Sequence, residues 1–362
     1  MCTDFLLTAT DGSVVNGRSM EYGANLGSQI LVGGVGTVKT STAPKPGGGR
    51  EPGMTWTATY GYVGMNAAGL RDGYGDLLKN MITDGMNSAG LAISALWLPT
   101  STKYPPVTNS STALYVADFA NWVLGTCRTV GDVVDALGSV QVWCDVDIKS
   151  KPYIPVHFSV HDADYGANGN SIVIEFLDGN PPSVQGNPVG VMTNEPPFAW
   201  HLSNIGNYIN LTATDAPPIT VRGPYGASYV QNGHGSGMLG LPGDSTPPSR
   251  FIRALFEKQF ATPPASGADA CSLALHLLNT VDIPLGTSRP QDAREGDDYT
   301  QWAVVKSLSS TGGTFSYRTY DNPTICQVNL AAPNLFSTAR EESYPLPAPP
   351  SFIDVTAGLT PS

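Results

Sequence analysis

Cys2 directly follows the initiator methionine, and a cysteine freed at the start of a chain brings two reactive groups to one residue. Its thiolate is a nucleophile. Its α-amine, with an ordinary pKa of about 7.7–8.0, serves as a base near neutral pH, so no separate histidine is required. A small second residue permits removal of Met1, and the expected enzyme is the chain that starts at Cys2. A cationic neighbour would keep the sulfur in its reactive thiolate form. Met-Cys alone, however, favours a plainer reading, an N-terminal strand residue.

Other patterns fail on context. Gly235-x-Gly237-x-x-Gly240 has the spacing of a dinucleotide fingerprint, but Leu241-Pro242-Gly243-Asp244 follows where a helix is required. A glycine-rich loop is the better reading. The serine of Gly233–Gly237 stands one residue off a Gly-x-Ser-x-Gly elbow. His157 and His161 lie in a run that alternates like a strand, so a structural role outweighs metal ligation. The five cysteines are far apart with no Cys-x-x-Cys pair, which indicates neither a zinc site nor a disulfide framework. No metal or cofactor is expected.

Composition narrows the partners. The formal charge of −11 disfavours nucleic acid and anionic membrane surfaces, which need clustered Lys and Arg. No stretch approaches the roughly 20 apolar residues that span a bilayer, so no membrane partner is expected. The first ten residues carry Asp4 and no basic segment, which points to the cytoplasm, or to the periplasm or secretion if a signal peptide is trimmed ahead of Cys2. With 362 residues and 41% hydrophobic content, a substantial core is feasible in one large domain or two smaller ones.

Five local strings, in order along nearly the whole chain, raise Cys2 above the plain reading. Met1-Cys2-Thr3 with Gly17-Arg18-Ser19-Met20-Glu21 opens the series, and Asp84–Pro99 (DGMNSAGLAISALWLP) follows. Next come Met192-Thr193-Asn194-Glu195-Pro196-Pro197-Phe198 and Gly240-Leu241-Pro242-Gly243-Asp244 through Pro248-Ser249-Arg250-Phe251. Tyr299-Thr300-Gln301-Trp302 with Arg318–Asn322 closes it. Together they resemble the choloylglycine hydrolase family, which includes bile salt hydrolases and penicillin V acylases.

That resemblance implies a four-layer αββα sandwich of two antiparallel sheets in the N-terminal-nucleophile hydrolase class, commonly a homotetramer acting on a small-molecule amide. It implies Cys2 as nucleophile, Arg18 as the arginine beside the thiol, and Asn194 as the oxyanion-hole amide. Arg250 matches a second active-site arginine. At the start of a helix such a cation opposes the dipole and needs an anionic partner. Glu21 stands where the family usually has Asp, thought to hold the free α-amine; the charge is kept and the reach grows by one methylene. Trp97 stands where bile salt hydrolases have Asn and penicillin V acylases tend to carry an aromatic. Its backbone N–H would serve the oxyanion hole, and its indole, with Tyr22, would bind substrate. Penicillin V-like or acyl-chain amides, acyl-homoserine lactones among them, are therefore expected over bile salts. A bile salt hydrolase is the alternative, and a catalytically silent acyl-binding protein is the alternative of another class.

The elements that must position these residues follow from periodicity. Cys2–Thr8 and Val14–Met20 read as a hairpin across Asp11-Gly12. Lys39–Gly53 reads as a mobile loop, and Thr55–Val63 returns to strand-like alternation. Met81–Thr83 and Leu91–Trp97 are expected to pair across a turn at Asp84-Gly85. Ser111 is expected to cap a helix to about Leu124, with further helices at Thr129–Leu137, Ser249–Phe260 and Ala268–Leu278. Ser171–Leu177 reads as a buried strand, and the chain is strand-like again beyond Ala303. This order argues for an α+β layered domain rather than a parallel βαβ sheet. A single domain over residues 1–343 with a Pro-rich tail over 344–362 is the expected organisation.

Overall fold

The computed structural model describes residues 1–70, 78–145, 153–166, 169–292 and 296–355. The first hairpin pairs Cys2–Thr8 (β1) with Val14–Tyr22 (β2), and both strands are buried almost throughout. Ile30–Gly33 (β3), Val38–Pro44 (β4), Arg50–Thr57 (β5), Tyr62–Asn66 (β6), Ile82–Asn87 (β7), Ala92–Trp97 (β8) and Ala113–Tyr115 (β9) follow. Helices Val116–Thr126 (α1) and Val130–Leu137 (α2) come next. Thr129 caps α2 in a reciprocal capping box with Asp132. Then come Gln141–Trp143 (β10), Val156–Gly166 (β11), Gly169–Glu175 (β12), Ser183–Gly186 (β13) and Val191–Met192 (β14). Helix Phe198–Asn204 (α3) and the short strands Ile219–Val221 (β15) and Ala227–Tyr229 (β16) precede Pro247–Phe260 (α4) and Gly267–Thr280 (α5). The last strands are Tyr299–Leu308 (β17), Thr314–Thr319 (β18), Cys326–Asn329 (β19) and Glu341–Tyr344 (β20).

Two antiparallel sheets carry the architecture. One runs β14-β1-β2-β17-β18-β19 and the other β13-β12-β11-β8-β7-β6-β3-β20. Helices α4 and α5 pack on β1, β2 and β17, while α1 and α2 pack on β7, β8, β11 and β12. Contacts of β1 with β8 and of β2 with β11 join the two sheets face to face, giving the four-layer αββα arrangement.

The surface between the sheets is not purely apolar. Asp4, Asn16, Arg18 and Lys306 of the first sheet meet Asp84, Ser94, Ser159 and His161 of the second, all with no exposed area. Such charges are tolerated only because they pair. Lys306 Nζ donates to Asp84, Ser94 Oγ bridges Asp84 Oδ1 (2.6 Å) and Asp4 Oδ2 (2.9 Å), and His161 Nε2 meets Asp4 Oδ1 at 2.6 Å. These partners hold the Asp4 carboxyl well below the ordinary carboxylate range, against the burial that raises it.

Three sequence expectations need correction. Lys39–Gly53 is not a loop: β4 and β5 form a hairpin whose tip, Gly47–Gly49, takes positive φ at all three glycines. Its strands are fixed by Ser41 Oγ donating to Asp118 Oδ2 (2.7 Å) and by Arg50 pairing with Asp145. Asp84-Gly85 is not a turn but the middle of β7, and the reversal falls at Ser88–Gly90. Gly85 is needed inside the strand because a Cβ there would stand 2.8 Å from the backbone carbonyl of Val63 in β6. Ser111 does not cap the long helix. It lies in a single 3-10 turn capped by Asn109, after which β9 pairs in parallel with β10 and delays the helix to Val116. At the C-terminal end, β20 carries Tyr344 into the eight-stranded sheet opposite Ile30, and the carbonyls of Pro349 and Pro350 accept from Asn322 and Thr324. Residues 356–362 of the expected tail lie outside the described residues.

Candidate active site

Strand register brings the expected residues together. In the β1–β2 ladder Cys2 faces Met20 and Asp4 faces Arg18, so Arg18 is two residues from the Cys2 pair and on the same face. Its Nη2 donates to Cys2 Sγ at 3.4 Å and to Ala95 O at 2.7 Å. The guanidinium lies 4.8 Å from the Trp302 ring centroid and 3.8 Å, through Nε, from Asp84 Oδ1. Met20 Sδ is 3.7 Å from the Cys2 sulfur. A fixed positive charge thus lies where a thiolate would place its negative one.

The pairing of β14 with β1, Asp4 opposite Met192, delivers Asn194 to the side of Cys2. Asn194 Oδ1 accepts from Cys2 N at 2.5 Å and from Arg250 Nη2 at 2.9 Å. These donors fix the amide orientation, and Nδ2, which carries two hydrogens, donates one to Trp97 O at 2.8 Å.

Arg250 sits in the first turn of α4 and is fully buried. It donates to Ser245 O, Cys2 O, Thr3 Oγ1 and Asn194 Oδ1. Its anionic partner is Glu21, whose Oε2 lies 3.9 Å from Nη1. Thr300 Oγ1 donates to Glu21 Oε1 at 3.0 Å from a β-bulge in β17. Burial pushes the Glu21 carboxyl up, opposed by Arg250 and by the chain's amino terminus. Met1 N donates to Glu21 O, and Glu21 N returns a bond of 2.8 Å to Met1 O. Both bonds are made by the Glu21 backbone, while its carboxylate is turned to Thr300 and Arg250.

Trp97 and Tyr22, both half-buried, meet edge to face at 5.7 Å between centroids. They border a cavity of about 60 Å³ that opens on Cys2 and is otherwise lined by apolar side chains, Met20, Leu26, Met81 and Ile154 among them, with Thr83 as a polar exception.

Several neighbours carry no signal in the sequence. Asp84 backs Arg18 and is shared with Lys306, Trp302 lies under Arg18, and Thr300 holds Glu21; sequence marks the strands but not these contacts. His157 and His161, read as structural, share one face of β11 and both point toward the first sheet. His161 pairs with Asp4, and His157 joins Glu175 (3.0 Å) to Thr193 O (2.9 Å). The Gly235–Gly240 segment is a partly exposed loop around a 3-10 turn at Ser236–Met238, organised by Asp215, which accepts from Gly235 N and Ser236 N.

Residues 2–344 match the model of the linear amide C–N hydrolases, choloylglycine hydrolase family. A bile salt hydrolase/transferase of Clostridium perfringens is 30% identical over 343 residues, covering 92% of this chain and 94% of that protein. The solved C2A variant of a conjugated bile acid hydrolase from Clostridium perfringens has a TM-score of 0.77 at 27% identity, covering 95% of this chain and 96% of that one. A penicillin V acylase of Pectobacterium atrosepticum is 27% identical over 304 residues, covering 79% of this chain and 70% of that protein. An αββα fold with a cysteine at its leading strand defines the class, an N-terminal-nucleophile hydrolase. The chain belongs to the choloylglycine hydrolase family and is an amidohydrolase acting on linear amides.

Proposed function

We propose that the form starting at Cys2 hydrolyses amides of an aryl or alkyl acyl group, penicillin V being the type substrate. The Cys2 thiol passes its proton to its own α-amine and, as the thiolate, attacks the carbonyl carbon; the ammonium so formed later delivers that proton. The second hydrogen of Asn194 Nδ2 and the Trp97 backbone N–H stabilise the tetrahedral oxyanion. The C–N bond breaks, the leaving amine departs with the proton from the Cys2 ammonium, and water hydrolyses the resulting thioester. Arg18 supports the sulfur, and Glu21 and Arg250 orient the terminus.

The observation that carries this reading is the small, almost wholly apolar cavity beside Cys2, walled by Trp97 and Tyr22. An aryl ring gains about 0.5–1.5 kcal/mol from such neighbours beyond its burial. A hydroxylated steroid would leave hydroxyls facing a wall that offers few partners, at about 1–3 kcal/mol for each one buried unpaired. A bile salt hydrolase is the second reading, favoured by the relatives of that name at 30% identity. A homotetrameric assembly belongs to the same proposal and is read by light scattering.

The test compares penicillin V, a long-chain acyl-homoserine lactone and glycocholate on protein lacking Met1. Release of 6-aminopenicillanic acid, abolished in Cys2→Ala, is expected. Preference for glycocholate would overturn the acyl assignment, and full activity in Cys2→Ala would overturn the mechanism.

A further inference from the structure

The backbone of Asn194 lies beyond the sheet ladder. The β14 ladder ends at Met192, and Glu195-Pro196-Pro197 follow before α3 begins. Its backbone is gripped instead by two buried imidazoles. His157 Nε2 lies 2.9 Å from Thr193 O, and His201 Nε2 lies 2.9 Å from Asn194 O. A carbonyl only accepts, so each Nε2 carries a hydrogen.

The two rings are themselves anchored. His157 Nδ1 faces Glu175 Oε1 at 3.0 Å, and that oxygen also accepts from Phe198 N at the start of α3. His201 stacks on Phe251 of α4 at 4.8 Å and 16°. Burial lowers His201 to a pKa of about 4, which leaves one N–H on a neutral ring near neutral pH. Thr193 Oγ1 donates to Pro247 O at 3.0 Å, tying the same peptide to the helix that carries Arg250.

We infer that His201 and His157 are positioning residues for amide hydrolysis, clamping the two carbonyls around Asn194 so that its carboxamide keeps an N–H aimed at the space before Cys2 Sγ. This rests on the proposed role of Asn194. An oxyanion donor contributes most in the transition state, so its misplacement lowers kcat and leaves KM largely alone. A shift near 1 Å costs about 100-fold in rate.

The variants are His201→Phe, which keeps the ring and loses the donor, and His201→Gln, which places an amide N–H near Nε2. They are measured on whichever of the three amides the Met1-free enzyme turns over fastest. His201→Phe is expected to lower kcat about 10- to 100-fold with KM within about two-fold, and His201→Gln to restore most of it. Should His201→Phe not fold, His201→Met reads the same loss. In the Asn194→Ala background the His201 change is expected to add nothing further, because both act through one amide. Unchanged kcat in Asn194→Ala would overturn the oxyanion role itself. A large loss in Asn194→Ala beside an unchanged kcat in folded His201→Phe, or fully additive losses, would overturn the clamp alone.

Discussion

Cys2 is one of five cysteines, and its surroundings set it apart. Cys127 and Cys144 are pushed up to about 11 by burial, which makes them poor nucleophiles near neutral pH. Cys2 instead receives a guanidinium N–H at 3.4 Å. Arg18→Leu is therefore expected to slow iodoacetamide labelling of Cys2 at pH 7 by about ten-fold or more, with Cys127 and Cys144 unreactive in both proteins. Peptide mapping of the alkylated chain checks this, and equal labelling rates would remove Arg18 from the account. Arg250 shows how far a residue-level argument reaches. A cation in the first turn of a helix demands an anion, which is legible in the string Pro248-Ser249-Arg250. That the anion is Glu21 depends on β2 pairing with β1, the strand on which α4 packs.

At the scale of elements, β1, β2 and β17 place alternate residues between the sheets and under the helices. Asp4, Arg18 and Lys306 therefore face Asp84 and Ser94, whereas Thr3 meets Arg250 on the helix side. Lys306→Met would leave the Asp84 carboxylate with the Ser94 hydroxyl and only one cation, the distant Nε of Arg18, so a loss of about 3–5 kcal/mol is expected. Adding Asp84→Asn should recover part of it, since the uncompensated charge is then gone; urea unfolding of the single and double variants checks both. Alternation predicts strands here but not which face each one turns inward. The hairpin at Val38–Thr57 stands where a loop over Lys39–Gly53 is expected, for a related reason. Its proline and glycine content suits a loop, yet three positive-φ glycines close a tight tip, and cross-contacts from Asp118 and Asp145 supply what local propensity lacks.

Over the whole molecule, the C-terminal strand is an integral wall of the second sheet. Glu341 in β20 accepts from Lys39 of the hairpin, Tyr62 of β6 and Asn121 of α1, joining segments more than two hundred residues apart in sequence. Glu341→Ala is expected to cost about 2–3 kcal/mol by stranding those donors, read as a lower thermal midpoint; an unchanged midpoint would show that β20 adds little. The sequence by itself determined the family, the α+β character and the extent of most helices, and it singled out Cys2 as the candidate nucleophile, because these rest on local strings and periods that survive in one dimension. Only the tertiary structure decided that Arg18 and Lys306 share Asp84, that Thr300 braces Glu21, and that two histidines grip the peptide at Asn194. Each is a contact across strand registers or between layers. Burial between two sheets turns those distant polar groups into mutual partners, and no spacing along the chain encodes that meeting.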